Sequence, residues 1–136
     1  MKRVKFFAFM FMLLFAFVGC KKPDLTVENL DVNWNWPNRT AKAEIANIGE
    51  KDAGNFMVYF NGDENPVSQK RRPQVSHNIT GLAVGSSITL EANFAPLAHP
   101  DNNNLGNVYK ITVLVDPKGM VNESNENNNV QESSIP

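Results

Sequence analysis

Apolar side chains recur at every second position through most of this chain, and this alternation is the feature that most limits its fold. The alternating sets are Leu25/Val27, Leu30/Val32/Trp34/Trp36, Ala41/Ala43/Ile45, Phe56/Val58/Phe60, Ile88/Leu90/Ala92/Phe94 and Tyr109/Ile111/Val113/Val115. A period of two places such side chains on one face of a β-strand. No stretch of helical periodicity reaches ten residues. The pattern therefore predicts an all-β domain in which each strand buries one face.

Turn-forming residues separate the alternating runs. They occupy Pro37-Asn38, Asn47-Ile48-Gly49, Asn61-Gly62-Asp63, Gly81, Val84-Gly85-Ser86, Pro100-Asp101-Asn102 and Pro117-Lys118-Gly119. About seven short strands with this punctuation, in about a hundred residues, predict an antiparallel β-sandwich. The change of phase between Val27 and Leu30 predicts a bulge or a bend in the first strand.

The first twenty residues have the pattern of an export signal. Three basic residues precede an unbroken apolar run from Phe6 to Val18, which ends in Gly19-Cys20. That run is too short to cross a bilayer comfortably, so the pattern favours a secretory signal peptide over the alternative, a transmembrane anchor.

Cys20 is the only cysteine, so the chain has no internal disulfide to form. Its surroundings, Phe17-Val-Gly-Cys20, resemble the lipobox of bacterial lipoproteins, although Phe17 stands where Leu is usual. The resemblance implies that residues 1–19 are cleaved and that Cys20 is lipidated as the mature N-terminus. Residues 20–24 would then form a short tether and residues 25–134 the β-domain. We expect a bacterial envelope protein, lipid-anchored to the outer membrane or cell surface outside the cytoplasm.

Charge and motif content argue against several function classes. The formal net charge is −1, and the only basic run is Gln69–Pro73, so no nucleic-acid partner is predicted. His77 and His99 lie far apart in sequence, in no metal-ligand spacing, and Ser86-Ser87 lies in no nucleophile motif. With Cys20 assigned to lipid, the sequence predicts a protein that is not an enzyme.

The segment Asp116–Asn129, "DPKGMVNESNENNN", follows the last alternating run. One interpretation is a structural corner: Pro117 and Gly119 make a turn, and Asn and Glu side chains satisfy exposed backbone groups. The last strand would begin between Asn127 and Val130. A disordered tail is the weaker alternative, because Met120 and Val121 in the segment and Val130 directly after it are apolar and predict burial.

Calcium is the second interpretation of the same segment. Asp116, Glu123 and Glu126 supply carboxylates, and the asparagines supply neutral oxygens, which suit a hard cation. Lys118, however, stands where a helix–loop–helix calcium loop needs Asp or Asn. About six to eight oxygens would have to converge, and Asp101 in the segment His99–Asn107 could contribute one of the carboxylates. The residues leave both interpretations open, with calcium as the one possible cofactor.

Trp34 and Trp36 lie two positions apart on one face of a predicted strand. Large aromatic side chains at such positions fill a sandwich core or cover its end. If they are exposed, they form a platform of the kind that binds sugars.

Four stretches of the chain resemble the CARDB family, the cell-adhesion-related domain found in bacteria. They are "PDLTVENLDVNW" with "WPN", "AEIANIGEKDAGNFMVYFNG", "GLAVGSSITLEANF" and "YKITVLVDPKGMVNESNENNN", which together span Pro23 to about Ser133. The most specific features are Asn47-x-Gly49, Leu82-x-x-Gly85 and the closing acidic and asparagine-rich signature. The resemblance implies an immunoglobulin- or fibronectin-type-III-like sandwich of about seven strands, used as an accessory or adhesive module outside the cell.

Two classes of function remain open. In the first, the domain is a membrane-anchored, non-catalytic module that binds an envelope protein or a glycan. In the second, it is a structural envelope lipoprotein that braces a larger assembly, or an accessory module stabilised by calcium. The sequence identifies no ligand.

Overall fold

The computed structural model describes residues 19–35, 37–64, 72–97 and 108–135, and within them the chain forms two antiparallel sheets packed face to face. The strands are β1 (Leu25–Asn33), β2 (Thr40–Asn47), β3 (Phe56–Glu64), β4 (Gln74–Ile79), β5 (Ser87–Asn93), β6 (Val108–Val115) and β7 (Val130–Ser134). One sheet has the order β1-β2-β5 and the other the order β4-β3-β6-β7. This arrangement confirms the predicted immunoglobulin-like β-sandwich.

The core between the sheets is built from the alternating positions of the sequence. Phe56, Phe60 and Phe94 are the largest fully buried side chains. They share one cluster with the small side chains of Ala41 and Ala43 on β2. Large and small residues on facing sheets can interdigitate at native density, which explains why β2 carries alanines while β3 carries phenylalanines. The two sheets and this core are complete within residues 25–135.

Two irregularities set which residues face the core. The register of β1 against β2 shifts between Val27 and Asn29, which confirms the predicted bulge. A second shift, opposite Asp63 and Glu64, was not predicted. It turns Val108 inward and leaves Tyr109 48% exposed, so the expectation that Tyr109 faces the core was wrong. The extra residue at a bulge reverses the alternation on one side of it.

Strand β4 was absent from the alternating runs singled out in the sequence. Its inward positions, Val75, His77 and Ile79, do alternate with polar residues. Because β4 is a short strand at the edge of its sheet, it buries little apolar surface and carries a weak hydrophobic signal.

The connections of the sandwich are sorted between its two ends. The N-terminal end holds the start of β1 together with the β2–β3, β4–β5 and β6–β7 connections, as the antiparallel registers require. The opposite end, called the distal end below, holds the end of β1 and the start of β6. Trp34 lies there, half-buried, with its ring centroid 5.3 Å from that of Phe94. The expectation that it covers the end of the core is confirmed.

Several predicted features lie outside the described residues. They are the apolar run Phe6–Val18, most of Gln69–Pro73, Trp36, His99 and Asp101. None of the described ranges contains a helix long and apolar enough to cross a membrane.

Candidate functional site

Asp116 builds the corner after β6. Its backbone has φ +45°, a left-handed conformation that aspartate tolerates better than most residues. One carboxylate oxygen accepts the N–H of Met120 at 2.9 Å, and the other accepts the N–H of Val121 at 2.7 Å. Gly119 completes the turn with φ +61° and donates to the Asp116 carbonyl. The carboxylate therefore fixes its own turn and leads Val121 into the core, where it is 5% exposed.

The burial expected for Met120 and for Val130, directly after the segment, was wrong. Met120 is 53% exposed and Val130 is 54% exposed. Met120 occupies the outer side of the turn, and Val130 faces away from the core at the start of the edge strand β7. Apolar character alone does not distinguish the inner from the outer face of a turn.

Glu123 is buried, with its side chain directed at the first residue of β1. Oε2 accepts the backbone N–H of Leu25 at 2.6 Å, and Oε1 accepts Nδ2 of Asn129 at 2.9 Å. Burial raises the pKa of Glu123 to about 7, against these two hydrogen bonds, and the negative charges of Glu126 and Asp116 raise it further. Glu126 is exposed and accepts the Glu123 backbone N–H at 3.0 Å.

The raised pKa of Glu123 predicts how stability depends on pH. Between pH 4.5, its ordinary pKa, and about 7, the folded chain binds more protons at Glu123 than the unfolded chain. Its contribution should therefore make the free energy of unfolding fall by about 2 kcal/mol across this window and level off above it. Urea unfolding at pH 5 and pH 8 measures the fall.

Glu123→Gln is the matched variant for this measurement. Asn129 Oδ1 accepts no hydrogen bond from the described residues, so a turned Asn129 amide can accept from the Gln side chain while Leu25 keeps its acceptor. The variant should fold and lose the fall between pH 5 and pH 8. A fall of the same size in both proteins would show that Glu123 does not cause it.

The rest of the asparagine-rich segment holds the chain just before β1. Ser124 donates its backbone N–H to the Pro23 carbonyl at 2.9 Å and its hydroxyl to Asp24 at 3.1 Å. Asn128 donates to the other oxygen of Asp24 at 2.7 Å. The Lys22 ammonium donates to Asn122 at 2.8 Å. The segment 116–129 thus holds residues 22–25 by hydrogen bonds, and only Lys21 separates this stretch from Cys20.

Asn47, at the end of β2, also contacts this stretch, from the sheet β1-β2-β5. It is fully buried, and its Oδ1 accepts the N–H groups of Asp24 and Gly49. Its Nδ2 donates to the carbonyls of Lys51, at 2.8 Å, and Leu82, at 3.0 Å. One amide side chain therefore joins the N-terminal stretch, the β2–β3 connection and the β4–β5 connection. We call residues 22–25, 47–53, 82 and 116–129 the N-terminal clasp.

The sequence predicted a turn at Asn47-Ile48-Gly49, where asparagine and glycine could have been needed for a left-handed backbone, but the structure gives both residues other roles. Neither has a positive φ, whereas Gly85 does, at +70°. Gly49 lies against the backbone of residues 22–24, where an added Cβ would come within 2.5 Å of Asp24 N and 2.6 Å of Lys22 O. Glycine is required here by the close approach of two backbone segments. Leu82, from the Leu82-x-x-Gly85 feature, is buried at the same end.

The three carboxylates predicted as calcium ligands are engaged by the chain itself. Both oxygens of Asp116 and both of Glu123 face N–H groups, and Glu126 Oε1 faces another. In residues 19–35, 37–64, 72–97 and 108–135, no group of three or more His, Cys, Asp or Glu side chains could hold a metal ion. These hydrogen bonds give the three carboxylates structural roles at the corner after β6.

A shallow groove of about 440 Å³ lies at the distal end, next to Trp34. Its lining consists of Asp31, Val32, Asn33, Trp34, Asn35 and Ile135. An aromatic ring beside carboxylate and amide groups can take a polar ligand with an apolar face. Trp34 therefore packs on Phe94 and also lines the groove.

A known protein family and a solved structure share the fold described above. The CARDB family model matches residues 22–133. A CARDB domain from Pyrococcus furiosus, solved in complex with di-metal ions, superposes with a TM-score of 0.56 at 22% identity, over 84% of this chain and 87% of that one. No curated protein matches the chain.

Two larger enzymes match part of their length to this chain. They are β-glucosidase 3B from Thermotoga neapolitana, at TM-score 0.49 and 17% identity, and a β-glucosidase from Listeria innocua, at 0.46 and 17%. The matches cover 83% and 84% of this chain but only 16% of each enzyme. The family model, by contrast, spans both sheets and the whole N-terminal clasp, and this chain therefore belongs to the CARDB family.

Proposed function

We propose that this protein is a lipid-anchored, non-catalytic binding module that works outside the cytoplasm. Membership of the CARDB family suggests an adhesion-related or binding module. The apolar run that ends in Gly19-Cys20 supports export and a lipid anchor. Cys20 is exposed, as a lipidated residue must be.

One observation carries this proposal: the side chains best suited to chemistry are used to build the corner after β6 and to hold the chain next to Cys20. Asp116 and Glu123 accept backbone N–H groups, and Asn128 and Ser124 bind Asp24. These hydrogen bonds support an architectural role for the carboxylates. A domain that fixes its tether so firmly is suited to present a ligand surface in a set position above a membrane.

The distal groove beside Trp34 is our candidate for the ligand surface. It lies at the end of the sandwich opposite Cys20, where an anchored domain faces away from the membrane. Its amide and carboxylate groups fit a glycan or a polar peptide segment.

Bracing of a larger envelope assembly is the alternative function. Pull-down from detergent-solubilised envelope, using the lipidated protein, separates the two. A partner recovered at fixed stoichiometry without added ligand favours bracing. Recovery of a glycan or soluble protein that free ligand displaces favours binding. Loss of that recovery in Asn35→Arg places the binding at the groove.

The metal hypothesis also needs a direct test, because the Pyrococcus furiosus CARDB domain was solved with di-metal ions. We propose that Asp116, Glu123 and Glu126 are architectural in this chain and that calcium adds little to its stability. Their hydrogen bonds to backbone and amide N–H groups support this proposal.

Lipidation of Cys20 makes a clear prediction. The wild-type protein should sediment with membranes, and mass spectrometry should find an acylated N-terminal Cys20. Cys20→Ala should be released to the soluble fraction, because loss of the acyl chains removes about 0.8 kcal/mol per buried methylene. Cys20→Ala that sediments as completely as the wild type would contradict the anchor.

A further inference from the structure

Three exposed apolar side chains lie on three separate connections at the N-terminal end. They are Ile48 on the β2–β3 connection, Val84 on the β4–β5 connection and Met120 on the β6–β7 connection, 56%, 47% and 53% exposed. Hydrogen bonds tie each connection to this end: Ile48 N–H to the Asp24 carbonyl, Val84 N–H to Asp52, and Met120 N–H to Asp116. The distal end also carries exposed apolar residues, Leu97 and Tyr109, so exposure alone does not mark a contact surface; the position of these three side chains beside Cys20 distinguishes them.

The hydrogen bonds of the clasp leave almost no free tether between this end and Cys20. The Lys22 carbonyl accepts the Glu50 N–H at 2.9 Å, so the fold already holds the chain at residue 22. From there to Cys20 the extended chain spans only about 7 Å. An acyl chain on Cys20 would therefore bring the N-terminal end down to the headgroups, and rotation of the domain away from the bilayer would be restricted.

We propose that the N-terminal end is a membrane-contact face, with Ile48, Val84 and Met120 inserted into the interfacial region of the bilayer beside the anchor. This inference rests on the proposed lipid anchor at Cys20. The occupant is a lipid surface because the anchor and the three apolar side chains lie at the same end. The distal groove then points away from the membrane.

Charge at this end neither drives nor opposes the contact. Its exposed ionisable residues are balanced in sign: Lys21, Lys51 and Lys118 against Glu50, Asp52 and Glu126. Long lysine side chains extend to the headgroups while apolar neighbours enter the acyl boundary. The contact should therefore form on zwitterionic bilayers and change little when phosphatidylglycerol is added.

Tryptophan quenching by brominated lipids tests this orientation without relying on cellular lipidation. The chain from Cys20 onward contains both sheets and the whole core, and Cys20 is its only cysteine. It can be coupled through that thiol to maleimide-bearing lipid in phosphatidylcholine vesicles with brominated acyl chains. Ile48→Trp and Val84→Trp are compared with Tyr109→Trp, a matched exposed position at the distal end. The unsubstituted chain gives the baseline from the native tryptophans.

We expect the fluorescence added at positions 48 and 84 to be mostly lost on brominated vesicles and the fluorescence added at position 109 to be retained. Equal retention at all three positions would overturn the proposal and would indicate that this end stands clear of the bilayer or binds a protein or a second copy. Equal loss at all three would overturn it as well, because the domain would then lie without a fixed orientation. Failure of Cys20 lipidation in cells would refute the proposed anchor but would not change the quenching measured on the chemically coupled protein.

Discussion

Asn47→Ala is expected to lower the free energy of unfolding by about 3–4 kcal/mol, a large fraction of the stability of a domain this size. The substitution removes four hydrogen bonds from a fully buried side chain. It leaves the N–H groups of Asp24 and Gly49 and the Lys51 carbonyl without this partner, whereas the Leu82 carbonyl keeps the Ala53 N–H. Each group left unpaired costs about 1 kcal/mol or more. Urea unfolding followed by tryptophan fluorescence measures the loss.

Asn61→Ala is the matched control for this substitution. Asn61 lies on β3 with its side chain outward and accepts one hydrogen bond from the exposed side chain of Gln74. Its loss should cost less than about 0.5 kcal/mol. Equal destabilisation by the two alanine variants would refute the central position of Asn47 in the N-terminal clasp.

Gly49→Ala should destabilise the domain by about 3 kcal/mol, although it adds only a methyl group. The new Cβ would meet backbone atoms of Lys22, Pro23 and Asp24 at 2.5–2.6 Å. Backbone cannot rotate away as a side chain can, so the two segments must separate. That movement would break the hydrogen bonds from Ile48 to Asp24 and from Glu50 to Lys22. Hydrogen exchange should show faster opening of these two amides.

Gly54→Ala provides the control within the same connection. Nothing lies within 4 Å of a Cβ at Gly54, and its φ is not in the left-handed region. The substitution should be neutral or slightly stabilising, because alanine has fewer conformations in the unfolded chain. If Gly49→Ala proved as harmless as Gly54→Ala, residues 22–24 would not pack against the β2–β3 connection as described.

The sequence was sufficient to predict the sandwich because a strand that buries one face carries apolar residues at every second position. The alternation at Phe56, Val58 and Phe60 needed no knowledge of neighbouring strands. Tyr109 was misplaced because a bulge depends on the pairing between two strands, and only one of them is visible in a local pattern. Strand β4 was missed because an edge strand buries too little to stand out.

The clasp was predictable only in part. The acidic segment suggested a structural corner, and Asp116 does fix its own turn through neighbours four and five residues away. The contacts of Glu123 with Leu25 and of Asn128 with Asp24 join residues 98 and 104 positions apart. No periodicity in one sequence reports such pairings. Asn47 was noticed as a turn residue, but its four partners come from the N-terminal stretch and two connections, which only the fold brings together.

The most direct test of the architectural account of the Asp116–Asn129 segment is a melting experiment with and without calcium. A site filled at a hundredfold excess over Kd would add about 2.7 kcal/mol and raise Tm by several degrees. We predict the same Tm in chelator and in millimolar calcium. Asp116→Asn should lower Tm equally in both, because the amide replaces one of the two acceptors of the turn. A calcium-specific rise in Tm that is lost in Asp116→Asn or Glu123→Gln would contradict the account and make the segment an ion site.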